Sequence, residues 1–152
     1  MDSSAITVLN RQRKVPVKLA ALRDFAELAL RECLRLKRSK PTVLSTLQEV
    51  SVILISDRRM AELHRRFLRE PGPTDVITFQ HGEIFVSPET ARRQARRFGT
   101  TADHEMRLYI AHGLLHLRGF DDKDARSSAE MQRVQEELVA KVDRALRRSM
   151  PK

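Results

Sequence analysis

The sequence is poor in several residue types that mark particular classes of protein. It has one cysteine, Cys33, which excludes a disulfide framework and fits a reducing compartment. No apolar run approaches the length of about 20 residues that spans a membrane. The N-terminus lacks the charged start and apolar core of a signal peptide. We therefore expect a cytoplasmic protein without membrane attachment. With one tyrosine and no tryptophan, aromatic platforms for stacking bases are not evident.

Positive charge is in excess. The 152 residues include 29 Lys and Arg against 20 Asp and Glu, a net charge of +9. A basic domain is often a nucleic-acid binder, although a merely solubilising surface is the alternative because acidic residues are interleaved throughout. The length predicts one domain, residues 1–152, and a hydrophobic content of 41% allows an ordinary core.

The spacing of apolar residues predicts an α+β fold. In the order β-α-β-α-β-β-α-α-α, a small mixed four-stranded sheet packs against about five helices. Strands are expected at 5–10, 48–56, 76–79 and 83–87, and helices at 15–37, 57–69, 88–98, from Asp103 to a stop at Gly119, and 124–148.

Some of these elements carry more detailed expectations. Pro16 suits the entry of the first helix, since proline is favoured at the first helical position. The second helix should direct Met60, Leu63, Phe67 and Leu68 inward. Cys33 lies in an apolar helical stretch and is expected to be a buried, inert thiol.

The candidate functional stretch runs from residue 111 to 122. His112 and His116 are one helical turn apart, so both imidazoles leave the same face of a helix, as in a helix that supplies two ligands to one metal ion. Gly119 can end the helix and let the chain fold back with a third ligand. Asp122 is our choice for that ligand, with Asp121 and Asp124 as rivals that spacing alone does not separate.

Other interpretations of this stretch were weighed. Two histidines at this spacing also occur by chance on helices, as hydrogen-bonded core residues. Gly113 stands where metalloproteases of the H-E-x-x-H type have their glutamate base, so ordinary zinc peptidase chemistry is not expected. The other histidines lie in polar contexts and are expected to be surface residues rather than ligands: His64, His81 and His104.

The stretch 112–121, His-Gly-Leu-Leu-His-Leu-Arg-Gly-Phe-Asp, resembles the H-G-x-L-H-L-x-G-Y/F-D-H motif of the YbeY family. These are bacterial and organellar endoribonucleases that mature rRNA. Residues 73–79, Pro-Thr-Asp-Val-Ile-Thr-Phe, are similar to the family's P-T-D-V-L-S-F, and 82–87, Gly-Glu-Ile-Phe-Val-Ser, to its G-D-I-x-I-S. The resemblance extends from about Val50 through the final helix.

The sequence departs from the family at two positions. Asp122 stands where the motif ends in a third histidine, and carboxylate is also an acceptable zinc ligand. The resulting two-histidine, one-carboxylate set also matches non-haem iron enzymes, but no jelly-roll pattern is present. Leu68 stands where the family has an arginine, and the adjacent Arg69 is the candidate to replace it.

The resemblance implies a metal-dependent endoribonuclease acting on single-stranded RNA, in small-subunit rRNA 3′-end maturation and ribosome quality control. The implied cofactor is one Zn²⁺ ion, or another divalent metal because of Asp122, with a metal-bound water as the catalytic group. Implied partners are rRNA, the small ribosomal subunit and its assembly factors. The alternative is a ribosome-associated assembly factor with a structural or absent metal.

The RNA-binding residues are less sharply defined. Thr74 and Asp75 can line the cleft or simply cap a turn. The four candidate arginines between residues 92 and 97 can equally form a solvated helix face. The candidates to hold phosphates are Arg65, Arg66 and Arg69 beside the loop, and Arg92, Arg93, Arg96 and Arg97 on the following helix.

Overall fold

The computed structural model describes residues 4–68 and 74–149. It confirms the predicted α+β fold and order, with one additional single-turn helix, α2, between the first helix and the second strand, where no element was predicted. The elements are β1 (Ala5–Asn10), α1 (Leu19–Leu34), α2 (Val43–Thr46), β2 (Glu49–Leu54), α3 (Asp57–Leu68), β3 (Val76–Phe79), β4 (Glu83–Val86), α4 (Pro88–Phe98), α5 (Ala102–Leu117) and α6 (Ala125–Ser149).

The four strands form one mixed sheet in the order β1-β2-β4-β3. Strands β1, β2 and β4 are parallel, whereas β3 pairs antiparallel with β4 through the hairpin at Gly82. Gly82 has a φ of 103°, a left-handed conformation that glycine adopts at little cost. Val52 lies opposite Val8 on one side and Ile84 on the other. The apolar run of β2 is therefore that of an interior strand covered on both faces.

Helices cover the two faces of the sheet unequally. The main core packs α1 and α5 against one face, with α6 packed on these two helices, around fully buried side chains such as Phe25 and Leu114. Cys33 belongs to this core, and burial raises the pKa of its thiol to about 12. On the opposite face, a smaller cluster around Met60 joins α3 to Ile53.

The prediction that Phe67 and Leu68 point inward is wrong. Their side chains are 53% and 51% exposed, whereas Met60 is fully buried. The apolar spacing continues one turn beyond the part of α3 that packs on the sheet. There the rings of Phe67 and Phe79 meet edge to face, with their centroids 5.4 Å apart.

Helix α1 begins four residues later than predicted, at Leu19, so Pro16 precedes it and does not occupy its first position. The buried side chain of Gln12 provides the reason. Its amide donates to the Val15 carbonyl at 2.9 Å and accepts from the Val15 N–H at 3.0 Å. These two bonds hold residues 12–15 in a closed, non-helical loop, because they occupy both backbone groups of Val15.

The caps of the later helices follow directly from the sequence. Ser87 accepts a hydrogen bond from the Thr90 N–H, Pro88 occupies the first turn of α4, and Gly99 ends it in the left-handed conformation with a φ of 68°. Helix α5 starts one residue before the predicted Asp103, with Thr101 as its cap. Among the described residues, no helix is both long and apolar enough to cross a membrane.

Candidate metal centre

Helix α5 lies unusually close to the sheet at the centre of the candidate site. A Cβ atom on Gly113 would stand 2.7 Å from Cγ2 of Ile84 on β4, well inside van der Waals contact. Gly113, which stands where a zinc peptidase would have its glutamate base, therefore has a packing role. It allows the segment that carries His112 and His116 to rest directly on the buried strand.

The two histidine side chains converge as their spacing predicts. Their Nε2 atoms are 3.0 Å apart, and the rings meet edge to face with centroids separated by 4.6 Å. Each side chain is 27% exposed. The pair therefore lies at the bottom of an open depression rather than in the sealed core.

A residue of α6 fixes the orientation of His112. Its Nδ1 lies 2.8 Å from Oε1 of Gln135. Because an amide oxygen can only accept, Nδ1 carries the proton and Nε2 presents its lone pair. A hydrogen bond of this kind holds a metal-binding histidine in the required tautomer. No local pattern pointed to Gln135, since its position depends on how α6 packs against α5.

The chain after α5 turns back toward the histidines. Gly119 has a φ of 94°, which favours glycine, and Phe120 is buried beside it. This turn places Oδ2 of Asp122 4.0 Å from Nε2 of both His112 and His116.

Asp122 is also distinguished from its two rivals. Asp121 accepts a hydrogen bond from the Lys123 N–H, and Asp124 caps α6 by accepting from the Ser127 N–H. Among the described residues, one group of three or more potential metal ligands has its ligand atoms within 4.8 Å of one another: His112, His116 and Asp122.

This donor set fits a divalent ion such as zinc. Zinc–nitrogen distances of about 2.0–2.1 Å in a tetrahedron separate two ligand nitrogens by about 3.3 Å, close to the 3.0 Å between the imidazoles. The carboxylate of Asp122 is half exposed on a loop, so a small movement brings it into range. Two nitrogens and one oxygen leave a fourth position open, as in catalytic zinc sites.

The electrostatics of the site favour a neutral imidazole at His116. Burial lowers the pKa of His116 and the adjacent His112 lowers it further, while Asp122 acts in the opposite direction. A neutral ring has the free lone pair that a metal requires.

The predicted arginines are found in different settings. Arg93 pairs with Asp57 at the start of α3, so its charge is already engaged within the fold. Arg97 lies over the ring of Phe98 at 5.6 Å. Arg69 lies outside the described residues. The remaining candidates are exposed on α3 and α4: Arg65, Arg66, Arg92 and Arg96.

The other three histidines and Asp75 also have defined places. His81 is 67% exposed and contacts Glu83 at 2.6 Å, whereas His64 and His104 are half-buried. None belongs to the ligand group among the described residues. Asp75 accepts from the Val76 N–H at the start of β3 and lines a cavity beside His112.

Two concavities of opposite charge flank the histidine pair. On one side is a cavity of about 470 Å³, here called the acidic cavity, whose lining includes Asp75, Glu105, Tyr109, His112, Gln135 and Glu136. On the other is a groove of about 320 Å³, here called the basic groove, whose lining includes Arg38, Lys40, Thr42, Gln80, His116 and Gly119. Sequence analysis missed Glu105 and Tyr109, because apolar spacing reports burial and not the presence of a cavity.

Fold and site together define an α+β protein whose sheet-covering helix presents a histidine pair and whose next loop returns a carboxylate. A solution structure of a protein from Thermotoga maritima has a similar fold, with a TM-score of 0.60 and 29% identity over 92% of each chain. It extends the likeness beyond the local motifs to nearly the whole chain.

Sequence comparison identifies the family. The model of the family described as "Endoribonuclease YbeY" matches residues 7–143. An "Endoribonuclease YbeY" from Frankia alni is 33% identical, in an alignment that covers 68% of each chain. Another, from Thermobifida fusca, is 37% identical, in an alignment that covers 66% of this chain and 76% of the relative. The chain therefore belongs to the YbeY family, as its motifs predicted.

Proposed function

We propose that this protein is a metal-dependent endoribonuclease specific for single-stranded RNA, with residues 1–152 forming one hydrolase domain. The observation that carries the proposal is the convergence of His112, His116 and Asp122 in a member of the YbeY family. Its cellular role would be small-subunit rRNA 3′-end maturation and ribosome quality control. Its partners would be rRNA, the small ribosomal subunit and its assembly factors, in the cytoplasm.

The three proposed ligands would hold a zinc ion or a similar divalent metal. Such an ion supplies Lewis acidity toward a phosphodiester and toward an attacking water. The residues of the chain contribute the surrounding organisation. Gln135 keeps His112 in the tautomer that leaves Nε2 bare, and Phe120 anchors the loop that carries Asp122.

The basic groove supports RNA as the substrate. Arg38 and Lys40 lie along it next to His116, where they can neutralise phosphates on one side of the reacting bond. The guanidinium of Arg38 stacks on Phe120 at 3.9 Å and donates to the Gly119 carbonyl at 3.0 Å, so it is held at the groove wall.

The shape of the site supports a preference for single strands. The histidine pair lies in a depression between two concavities, which a flexible strand can follow with its bases unstacked.

The decisive experiment compares metal content and RNA cleavage in wild type and His112→Ala. Purified wild type should hold about one equivalent of metal and cut single-stranded RNA faster than duplex, because this ligand set favours one bound ion. His112→Ala should lose both the metal and the cleavage. His81→Ala is the matched control, since His81 is exposed and lies outside the ligand group.

The result also separates the enzyme from its alternative. A metal-free wild type, or a His112→Ala variant that cleaves like wild type, would contradict the proposal. A wild type that binds metal and RNA but cuts neither single-stranded nor duplex RNA would instead identify an assembly factor with a structural metal.

A further inference from the structure

The acidic cavity contains two buried polar side chains that the metal site does not use. Glu105 and Tyr109 are 5% and 6% exposed, and both line the cavity. They precede His112 on the same face of α5, at positions 105, 109 and 112. Thr100 donates to Oε2 of Glu105 at 2.7 Å. Across the part of the chain that the structure describes, the Tyr109 hydroxyl makes no hydrogen bond.

The Tyr109 hydroxyl faces the open cavity without a protein partner among the described residues, so it can form a hydrogen bond with a ligand that enters the cavity. Burial, with the nearby carboxylates of Asp75 and Glu105, raises the pKa of Tyr109. The hydroxyl therefore stays protonated and can donate to a carbonyl oxygen of a ligand.

The charge of the cavity limits which part of an RNA can enter it. Its lining has the carboxylates of Asp75, Glu105 and Glu136, and no lysine or arginine among the described residues. A phosphate would be repelled there, whereas the basic groove on the other side of the histidines attracts one. An uncharged part of the nucleotide is the part that fits.

The size and walls of the cavity fit an aromatic ring. Small-ligand pockets measure about 300–1,000 Å³, and this one is about 470 Å³. The apolar parts of its wall come from Val76, Phe98 and Leu108. A metal ion is a poorer occupant, since the carboxylates of the cavity do not form a ligand group in the described residues.

We propose that the acidic cavity binds the nucleobase next to the scissile phosphate and selects bases that present N–H donors to its carboxylates, guanine above all. This inference rests on the proposed endoribonuclease function. The Watson–Crick edge of guanine has two adjacent donor groups, which match one carboxylate, beside a carbonyl oxygen that can accept from Tyr109. Adenine and cytosine each offer one amino group. Uracil offers a single N–H between two carbonyl oxygens, which the carboxylates repel.

The test uses oligouridine strands that carry one central guanosine, inosine or uridine, with cleavage sites mapped for each. Wild type should cut beside guanosine at least about 10-fold faster than between uridines, since a two-point match of donors and acceptors discriminates strongly. Inosine lacks the exocyclic amino group and should lose most of this preference.

Variants locate the preference in the cavity. Glu105→Gln and Tyr109→Phe should lower the ratio of guanosine to uridine cleavage to below about 3-fold, because each removes one of the selective contacts. Glu136→Gln, on the exposed side of the cavity, serves where a buried substitution prevents folding. Glu130→Gln lies on the same helix outside the cavity and is the control that should keep the wild-type ratio.

A binding measurement separates failure of this inference from failure of the nuclease proposal. Tyr109 is the single tyrosine and the chain has no tryptophan, so intrinsic fluorescence reports on the cavity alone. Guanosine should change this fluorescence saturably, and uridine should not, even in a preparation that cleaves nothing.

Three outcomes would overturn the inference. They are cleavage without base preference, a preference that survives Glu105→Gln, Tyr109→Phe and Glu136→Gln, and equal fluorescence responses to the two nucleosides. If wild type cuts all steps equally, the nuclease proposal stands and only the nucleobase site is rejected.

Discussion

The two concavities beside the histidine pair differ in how they are built as well as in charge. The acidic cavity is framed by residues from β3, α4, α5 and α6, so its shape depends on the packing of regular elements. The basic groove is framed largely by the irregular segment 38–42 and the turn after α5. One site for selecting a base and another for holding a backbone place different demands on rigidity.

Two arginines compensate for the irregular backbone of the basic groove. Arg118 donates to the carbonyls of Leu34 and Leu36 and to the hydroxyl of Thr42, and Arg38 donates to the Gly119 carbonyl. These bonds tie the end of α1 to the end of α5. The same helix, α5, therefore organises both sides, through packing on one and through charged hydrogen bonds on the other.

Gly113→Ala should disturb both concavities together, with the largest effect on stability. The new Cβ would clash with the Ile84 side chain at 2.7 Å, and overpacking of this kind costs about 1–3 kcal/mol. In an Ile84→Ala background the clash is absent, and alanine favours a helix over glycine by about 1 kcal/mol. Urea unfolding of wild type, the two single variants and the double variant should therefore show that Gly113→Ala destabilises the wild-type background and stabilises the Ile84→Ala background. An equal cost in both would reject close packing as the role of Gly113.

Asp57→Asn should weaken the frame of the acidic cavity while leaving the basic groove intact. Burial alone would raise the pKa of Asp57, but hydrogen bonds from Arg93, Ser87 and Thr90 outweigh it and hold the pKa below its usual value. Loss of these charged bonds between α3 and α4 should lower the free energy of unfolding by about 1–3 kcal/mol at pH 7.

The pH dependence of this effect has a definite sign. Because the folded-state pKa is depressed, the stabilisation is present above the unfolded value of 3.8 and is lost as pH falls through the folded-state pKa. The difference between wild type and Asp57→Asn should shrink in that range, as followed by urea unfolding. Glu62→Gln is the matched control: its pair with Arg59 is exposed, so it should change stability by less than about 1 kcal/mol. A pH-independent difference would contradict the assignment.

Lys40→Ala should affect the basic groove alone, with the smallest effect of the three. One lost phosphate contact should weaken binding of single-stranded RNA a few-fold and make the salt dependence of log K shallower by about 0.7. Filter binding with a catalytically inactive His112→Ala background measures both quantities. Lys18→Ala, an exposed lysine outside the groove, should match the parent. An unchanged salt slope in Lys40→Ala would place the RNA backbone elsewhere.

The fold was predictable from sequence because its signals are local. The apolar run of β2, the Ser87-Pro88 start of α4 and the glycine stop at Gly99 each specify structure within a few residues. The errors have tertiary causes. Gln12 closes a loop by hydrogen bonds that no spacing reveals, and Phe67 continues an apolar pattern beyond the reach of the sheet.

The candidate site divides in the same way. The spacing of His112 and His116 and the turn at Gly119 are properties of one short stretch, so the sequence was sufficient to find them. Gln135 arrives from a helix whose position relative to α5 depends on packing across the whole core. Tyr109 occupies an apolar-spaced position of α5 and is buried, but its hydroxyl faces a cavity whose other walls come from three further elements.

The three proposed ligands are held with unequal rigidity, and this determines how the site responds to ions of different radius. His112 and His116 are carried by a helix that packs closely on the sheet at Gly113, whereas Asp122 lies on a half-exposed loop. A change of ion size would therefore be absorbed by displacement of the carboxylate, with the helix unchanged. Exchange among divalent ions is expected to alter the loop after Gly119 and to leave the sheet, the histidine pair and both concavities where they are.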